Sequence, residues 1–271
     1  MSAPHGASAP RRTSVAPWPV VAGASLALSL FVLPLAGLVV RAPWRSALDA
    51  LAAPAALEAL RLSLGCSLAA TALSIVLGLP LAWLLARVEF PARGLVRGLV
   101  TLPVVLPPVV GGVALLLAFG RRGIVGRWLE AAFGVTLPFT AAGAVLAEIF
   151  VAMPFFILTI EGGLRGLDAR LEDAARTLGA RPWTVFRRVT LPLLRPSLIA
   201  GAVLCWARAL GEFGATITFA GNFPGRTQTL PLAVYTALET DPDAGILLSL
   251  VLLVVSLAVL VGLRRRWLGA P

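Results

Sequence analysis

The chain contains no lysine: all 23 of its basic side chains are arginine. A phosphate-cradling Gly-x-x-x-x-Gly-Lys-Ser/Thr loop is therefore excluded, and with it nucleotide binding of the Walker kind. Histidine is confined to His5, and cysteine to Cys66 and Cys205, which both lie inside apolar runs. Two thiols so placed make no disulfide framework, and no His/Cys cluster is present to hold a metal. Neither a Ser/His/Asp set nor a paired-carboxylate motif is visible, so an integral-membrane enzyme would lack its catalytic apparatus. Charged residues make up only 13% of the 271 positions, while 58% are hydrophobic and the mean hydropathy is +0.91. That balance excludes a soluble globular domain and puts the chain in a bilayer.

A spanning helix needs about 20 predominantly apolar residues, and six stretches qualify, at 18–40, 62–85, 99–119, 139–160, 196–213 and 244–263. With the N-terminus inside, fifteen arginines fall on the inner side: Arg11, Arg12, Arg87, Arg93, Arg97, Arg165, Arg170, Arg176, Arg181, Arg187, Arg188, Arg195, Arg264, Arg265 and Arg266. Six fall outside, namely Arg41, Arg45, Arg121, Arg122, Arg127 and Arg226, and Arg61 and Arg208 lie within or at the edge of spans. This asymmetry predicts both termini in the cytoplasm and explains the net charge of +10 without nucleic acid. The trio Arg121, Arg122 and Arg127 runs against the rule, which marks that loop as functional or misplaced. Residues 1–17, rich in Ala, Pro and Ser, are expected to form a disordered cytoplasmic tail. The first apolar run exceeds the length of a secretory signal core, so a retained anchor is expected at 18–40, with an outer loop to residue 55.

Helix breakers interrupt several spans: Pro34, Pro80, Pro154, and the run from Pro103 through Pro107 and Pro108 to Gly111 and Gly112. In lipid the freed backbone groups must find partners, so the last of these predicts packing against other helices, a conduit, or simply a kinked helix. Between the fourth and fifth spans lies a charged, Arg-rich island at 171–192. Leu171, Ala174, Ala175 and Leu178 share one helical face, Gly179 is placed to end that helix, and Pro182 suits the first turn of a second one carrying Trp183, Phe186, Arg187 and Arg188. Leu191-Pro192 is expected to close it. Two short helices around a turn make a knob that can dock into a groove; an amphipathic segment lying on acidic lipid is the other reading.

The spacing Asp173-Ala174-Ala175, three residues, Gly179, nine residues, Val189-Thr190-Leu191-Pro192 resembles the cytoplasmic "EAA" loop of binding-protein-dependent ABC importer permeases. Asp173 stands where that consensus has Glu, with Glu172 just before it, and Val189 stands where it has Ile. From about Ala56 to Leu263 the likeness narrows to the molybdate permeases of the molybdate, tungstate and sulfate branch. It rests on Phe90 to Gly94, Leu102 to Gly111, Gly120 to Gly123, Ala207 to Phe219 and Asn222 to Pro231. The resemblance implies an all-α integral membrane fold of the type I importer class, with a permease core at 56–264, a coupling loop at about 165–195 and a short cytoplasmic tail at 265–271. It implies a molybdate-translocating subunit of the bacterial inner membrane, with sulfate, thiosulfate or tungstate as alternative cargo and an ATP-independent carrier as a remoter one. The implied partners are a second copy of this chain, two cytoplasmic ABC ATPases and a periplasmic oxyanion-binding protein. ATP and Mg would sit on the ATPases and no cofactor on this chain. The ATPase-coupling residues would be Glu172, Asp173, Ala174, Ala175, Arg176, Gly179, Arg181, Pro182, Leu191 and Pro192.

A dianion's path should avoid fixed negative charge and offer hydroxyls, amides and helix N-termini. The candidates for path or gate are Pro107, Pro108, Gly111, Arg208, Gly211, Glu212, Gly214, Thr216, Thr218 and Asn222. Thr216, Thr218, Asn222, Arg226, Thr227 and Thr229 either line an outer mouth or cap helices. Arg208 and Glu212, four residues apart, are expected to pair on one helix face, which gives Glu212 a structural or gating part rather than an anion-binding one. Glu148 has no partner nearby in sequence, so it is either a functional intramembrane carboxylate or a partner for Arg208 across helices. The cations Arg121, Arg122, Arg127 and Arg226 dock a binding protein, steer anions, or are simply solvated.

Overall fold

The computed structural model describes residues 17–267. The chain divides into Met1–Ala42 and Pro43–Pro271. The described part of the first unit is one helix, α1 (Trp18–Arg41), apolar on all sides, with Pro34 inside it and no buried residue. At about 1.5 Å per residue its 24 residues reach roughly 36 Å, enough to cross the hydrocarbon core.

The second unit is all helical over its described residues. In chain order come α2 (Ala47–Ala52), α3 (Pro54–Arg87), α4 (Arg93–Val105), α5 (Pro108–Phe119), α6 (Gly126–Phe133), α7 (Ala141–Gly166) and α8 (Ala169–Thr177). They are followed by α9 (Pro182–Val185), a π turn (Phe186–Thr190), α10 (Leu191–Leu210), α11 (Gly214–Ala220), α12 (Leu230–Thr240) and α13 (Pro242–Trp267). Among the described residues five helical runs are long and apolar enough to cross a membrane: Trp18–Arg41, Pro54–Arg87, Ala141–Gly166, Pro182–Leu210 and Pro242–Val259. The remaining apolar stretch, 99–119, is neither a span of its own nor a kinked helix. Pro107 and Pro108 each lack a backbone donor, and Pro107 pushes Leu106 into extended geometry at φ −67°, ψ 133°. Helix α4 therefore stops at Val105 and α5 starts afresh on Pro108. Pro34, Pro80 and Pro154, by contrast, lie inside continuous helices.

The core is built around α7. Phe156, Ile157, Ile160 and Leu164 are fully buried against Ala70, Ala82 and Leu85 of α3 and against Leu194, Cys205 and Ala209 of α10. The seams are lined with small residues. On α3 the buried positions include Ser63, Cys66, Ser67, Ala70, Thr71, Ser74, Gly78 and Ala82, recurring every three or four residues. A Cβ on Gly78 would lie 3.0 Å from the Phe156 ring, and one on Gly163 would lie 2.6 Å from Ser197 Cβ. Apolar tails of lipid are as apolar as leucine, so helices in a bilayer gain by approaching closely rather than by leaving water, and small side chains permit that approach. A second cluster joins α5, α7 and α11 through Leu115, Ala147, Val151, Ala215 and Phe219. A third joins α3, α12 and α13 through Ala59, Leu230, Ala233, Leu248 and Val251.

Replacement of Gly163 by Val should cost about 1–3 kcal/mol through overpacking, because the added carbons meet the backbone-proximal part of Ser197 rather than a flexible tip. The check is the melting temperature of the detergent-solubilised chain by fluorescence-detected size exclusion. A melting temperature equal to that of the parent would contradict the packing described for this seam.

Candidate coupling knob and translocation path

Helix α8 begins at Asp168, whose carboxylate accepts from the Arg170 backbone N–H at 3.0 Å. It ends on Gly179 at φ +82°. The Gly179 N–H donates to Arg176 O at 2.9 Å and the Ala180 N–H to Ala175 O at 3.1 Å, the paired closure that a left-handed residue makes possible after a helix. The predicted stop is thus found where expected. The face that the spacing brings together is turned outward. Leu171 (49% exposed) and Leu178 (88% exposed) face outward, Ala174 is exposed and Ala175 half-buried, while Glu172 turns inward and is buried.

Glu172 Oε1 accepts from Thr190 Oγ1 at 2.8 Å and from Arg87 Nη2 at 3.3 Å, and Arg176 Nη2 stands 3.7 Å from Oε2. One carboxylate so joins α8, the π turn and the end of α3. Charge-assisted bonds of this sort contribute about 1.5–3 kcal/mol each, and with these partners the cost of burying the charge is offset. Asp173, at the consensus acidic position, is exposed and among the described residues pairs only with Arg176, at 2.8 Å. The signal available beforehand was Glu172 itself, one residue ahead of the consensus position; nothing local pointed to Arg87.

The second helix does not close at Leu191-Pro192. It runs on without interruption from Pro182 to Leu210. Pro192 has no N–H to give to Arg188, and ahead of it the helix widens: the Leu191 N–H reaches back five residues to Phe186 O. Arg181 and Pro182 are exposed at its start, and Trp183, 69% exposed, stacks on Phe186 with ring centres 5.6 Å apart. Leu171, Leu178 and Trp183 thereby give the knob an uncovered apolar surface.

The predicted path residues fall into two groups. Gly214 of α11 lies against Pro108 and Val109, with a Cβ there 3.0 Å from Pro108 Cβ. Gly111 abuts Phe150, and Gly112 is so close to Thr218 that a Cβ would sit 2.6 Å from it. Pro108, Gly112, Gly214 and Thr218 are accordingly brought together where α5 meets α11, while Gly111 faces α7 and Pro107 precedes α5. Thr218 Oγ1 donates back to Gly214 O at 2.8 Å, and Thr216 is buried with its hydroxyl unpartnered among the described residues. Gly211 ends α10, and across that end Arg208 Nη1, in the last turn, meets Glu212 Oε2 at 2.6 Å. Glu212 Oε1 accepts from the Ala215 N–H at 2.8 Å, so the same carboxylate ends one helix and starts the next. Asn222 stands apart: its amide donates to Thr236 Oγ1 at 2.9 Å and ties the 221–229 loop to α12. Thr227 accepts from the Phe223 N–H within that loop at 3.0 Å, and Thr229 precedes α12 without capping it. Neither side chain makes a helix-capping bond.

Of the two readings of Glu148, the pairing with Arg208 is not found: Arg208 is held by Glu212. Glu148 is buried in α7, Oε2 has no partner among the described residues, and its charged neighbour is Glu212 rather than a cation. Glu161, not anticipated from sequence, is the carboxylate of α7 that is paired: it takes Arg97 of α4 and, at 2.8 Å, Arg165. Cys66 and Cys205 are buried and free, and among the described residues no group of His, Cys, Asp or Glu is arranged to hold a metal. Arg11, Arg12 and the tail at 268–271 lie outside the described residues, as do the side chains of Arg264, Arg265 and Arg266.

A membrane-embedded helical unit with a compact helical knob at one end of its central helices defines the permease class. The chain belongs to the family of binding-protein-dependent transport system inner membrane components, whose profile matches residues 74–270. It is a multi-pass inner-membrane transport subunit. It is 47% identical over 248 residues to the molybdenum transport system permease protein ModB of Mycobacterium tuberculosis, covering 92% of each chain. The ModB protein of Escherichia coli is 46% identical over 212 residues, covering 78% of this chain and 93% of that one. The sulfate transport system permease protein CysT of the same organism is 36% identical over 235 residues, covering 85% and 84%. Among solved structures, a bacterial ABC transporter that imports alginate superposes with a TM-score of 0.74 at 17% identity over 92% of this chain and 94% of the other. The MetNI methionine ABC transporter in an inward-facing form gives 0.61 at 18% identity, covering 78% and 94%. These likenesses show the fold, that of the type I importer transmembrane domain.

Two substitutions test the knob. Glu172→Ala should leave the chain in the membrane and reduce ATP-dependent uptake at least about tenfold, one tenfold step being worth about 1.4 kcal/mol; partial recovery is expected in Glu172→Arg combined with Arg87→Glu. Uptake unaffected by Glu172→Ala would show that the tie is not needed. Gly179→Val forces a β-branched residue to φ +82°, which only glycine adopts without strain; uptake should be abolished while membrane insertion, followed by immunoblot of membrane fractions, is retained.

Proposed function

We propose that this chain is the membrane-spanning subunit of an ATP-driven importer of molybdate. The observation that carries the cargo is the 47% identity to a molybdenum permease across 92% of both chains, against 36% for a sulfate permease. That second relationship keeps sulfate, thiosulfate or tungstate as the competing cargo. In this reading two copies of the chain form the pore, both termini lie in the cytoplasm, a periplasmic oxyanion-binding protein delivers the anion, and two ABC ATPases bind beneath. ATP and its Mg ion sit on those ATPases, in keeping with the absence of lysine and of a phosphate-binding loop here.

The knob is the surface the ATPases would grip. Its exposed Leu171, Leu178 and Trp183 offer apolar surface suited to a groove, and Arg181, Arg187 and Arg188 of the same knob are exposed too. Two rigid links leave it. One is the Glu172 tie to Arg87 at the end of α3. The other is the unbroken run from Pro182 to Leu210, 29 residues or roughly 43 Å long. That lever arrives at Arg208, Gly211 and Glu212, next to α11 and the break at Leu106-Pro107. Closing of the ATPases would thus be felt where α5 and α11 touch, and rocking of one helical group against another would open the path alternately to each side. Glu148 and Glu212 are poor ligands for a dianion, and we assign the Arg208–Glu212 junction to the gate rather than to the cargo.

The test is uptake of radiolabelled molybdate into proteoliposomes. Transport is expected only when the permease, its ATPases, the binding protein and ATP are all present, with excess sulfate a weak competitor. Transport by the chain alone under an ion gradient would overturn the ATP-driven reading, and preferential uptake of sulfate would move the cargo to the second reading.

A further inference from the structure

At the end of the unit opposite the knob, a cavity of about 470 Å³ opens between three segments: the end of α5, residues 134–140, and the 221–229 loop. Arg121 and Arg226 line it from two different loops, with Thr136, Pro138 and Phe139 between them. We propose that this cavity is a receiving site for a free tetrahedral oxyanion on the outer face, a deepening that rests on the importer reading above.

The charge argument comes first. No Asp or Glu lines the cavity. Arg121 Nε lies 3.6 Å from Glu130 Oε1, a solvent-screened pair with the side chains 72% and 41% exposed, and such a pair is weak enough for a dianion to compete with. Glu58 lies against Gly225 and does not line the cavity. The Arg226 side chain has no ion pair or hydrogen bond among the described residues. Guanidinium groups present fixed forks of donors that match the oxygens of an oxyanion, and two of them neutralise a double charge.

Preorganisation comes second. The Arg121 loop is closed by Gly123 N–H to Gly120 O at 2.7 Å and Val125 N–H to Ala118 O at 2.8 Å. The Arg226 loop is cinched on Phe223 O, which accepts from the N–H groups of Arg226, Thr227 and Gln228 at 2.9–3.1 Å. Phe139, in the cavity wall, is held at φ +59°, a sparsely populated conformation for a phenylalanine. Its N–H donates to Phe219 O at 3.3 Å and its ring meets the edge of Phe223 at 6.1 Å, which ties the 134–140 segment of the cavity wall to the Arg226 loop. Strain maintained by such cross-bracing is characteristic of sites that must keep a shape. Arg121 also belongs to the trio that offends the positive-inside bias, and a cargo-binding task accounts for its being there. The volume, equal to that of roughly fifteen waters, suits an anion that keeps much of its hydration, as a transient receiving site requires. A concave pair of arginines fits a small anion; a docking face for a protein would spread its cations, as with Arg122 and Arg127, which do not line the cavity.

The experiment uses the full chain assembled with its ATPases in nanodiscs of phosphatidylcholine, without nucleotide, and measures bound radiolabelled molybdate by equilibrium dialysis. Arg226→Gln should raise the half-saturating concentration about tenfold, as expected on losing one strong charge-assisted contact. The Arg121→Gln/Arg226→Gln pair should abolish binding, and Arg45→Gln, removing an outer charge elsewhere, should leave it intact. Sulfate should displace the label. Binding by the double variant equal to that of the parent, or no binding by the parent, overturns the site. Two further arms identify the other occupants. A double variant that binds molybdate normally yet needs much more binding protein for half-maximal uptake assigns the arginines to protein docking. Phospholipid that co-purifies with the parent and not with the double variant, seen by native mass spectrometry together with absent molybdate binding, assigns them to a lipid phosphate. Both outcomes refute the proposal. Uptake separates the two levels: if the parent assembly imports molybdate and the double variant imports it equally, the importer reading stands and the cavity has no part in it. If the parent binds molybdate at the cavity but imports none, the importer reading is what fails.

Discussion

Close approach of α3, α7 and α10 is the constraint on which the rest depends. In water a helical bundle is driven together by the removal of apolar surface from solvent, but in lipid that gain vanishes and contact distance decides. Gly78, Gly163 and Gly201, with Ser63, Ser67 and Ala70, leave room for neighbouring backbones and for the large Phe156 ring at the centre. Everything else hangs from this seam. The knob is carried on the ends of α7, α3 and α10, and α5 and α11 are applied to the outer half of α7 through a second, smaller cluster.

Buried charge in the unit follows one rule with one exception. Glu172, Glu161 and Glu212 are each buried and each holds an arginine. Two of these pairs sit near the knob and one at the junction of α10 and α11, so the carboxylates that are paired mark the places where helix ends must be held in register. Glu148 is the exception, buried beside Glu212 with an oxygen unpartnered among the described residues. A lone carboxylate in such surroundings is costly, and its position beside the Arg208–Glu212 junction places it in the same mechanical neighbourhood.

Much of this was legible from residues alone. Gly179 announced a stop because the αL conformation suits glycine, a local effect; Pro107-Pro108 marked a weak point, yet 99–119 still counted as one span, and the structure divides it into two helices. The inward turn of Glu172 was not legible. The spacing of Leu171, Ala174, Ala175 and Leu178 marks one helical face without saying which side of the helix is covered, and the interior of the knob is an ionic tie to Arg87, 85 positions away. The same failure of range explains Glu148: proximity in sequence said nothing of its surroundings, and Arg208 was already engaged by Glu212 four residues on. Pro192 was read as a terminator, but a single widened turn absorbs its missing donor and lets the lever continue.

By itself the amino-acid sequence determined the solvent, the helical class, the stop at Gly179 and the spacing of the knob, since composition, glycine and periodicity act over a few residues and need no partner. Only tertiary structure decided which side of α8 is covered, how far α10 extends as one rod, and that Arg121 and Arg226, 105 positions apart in the chain, line one cavity. Those outcomes depend on which distant groups meet, and charge pairing, close packing and cavity shape are properties of that meeting.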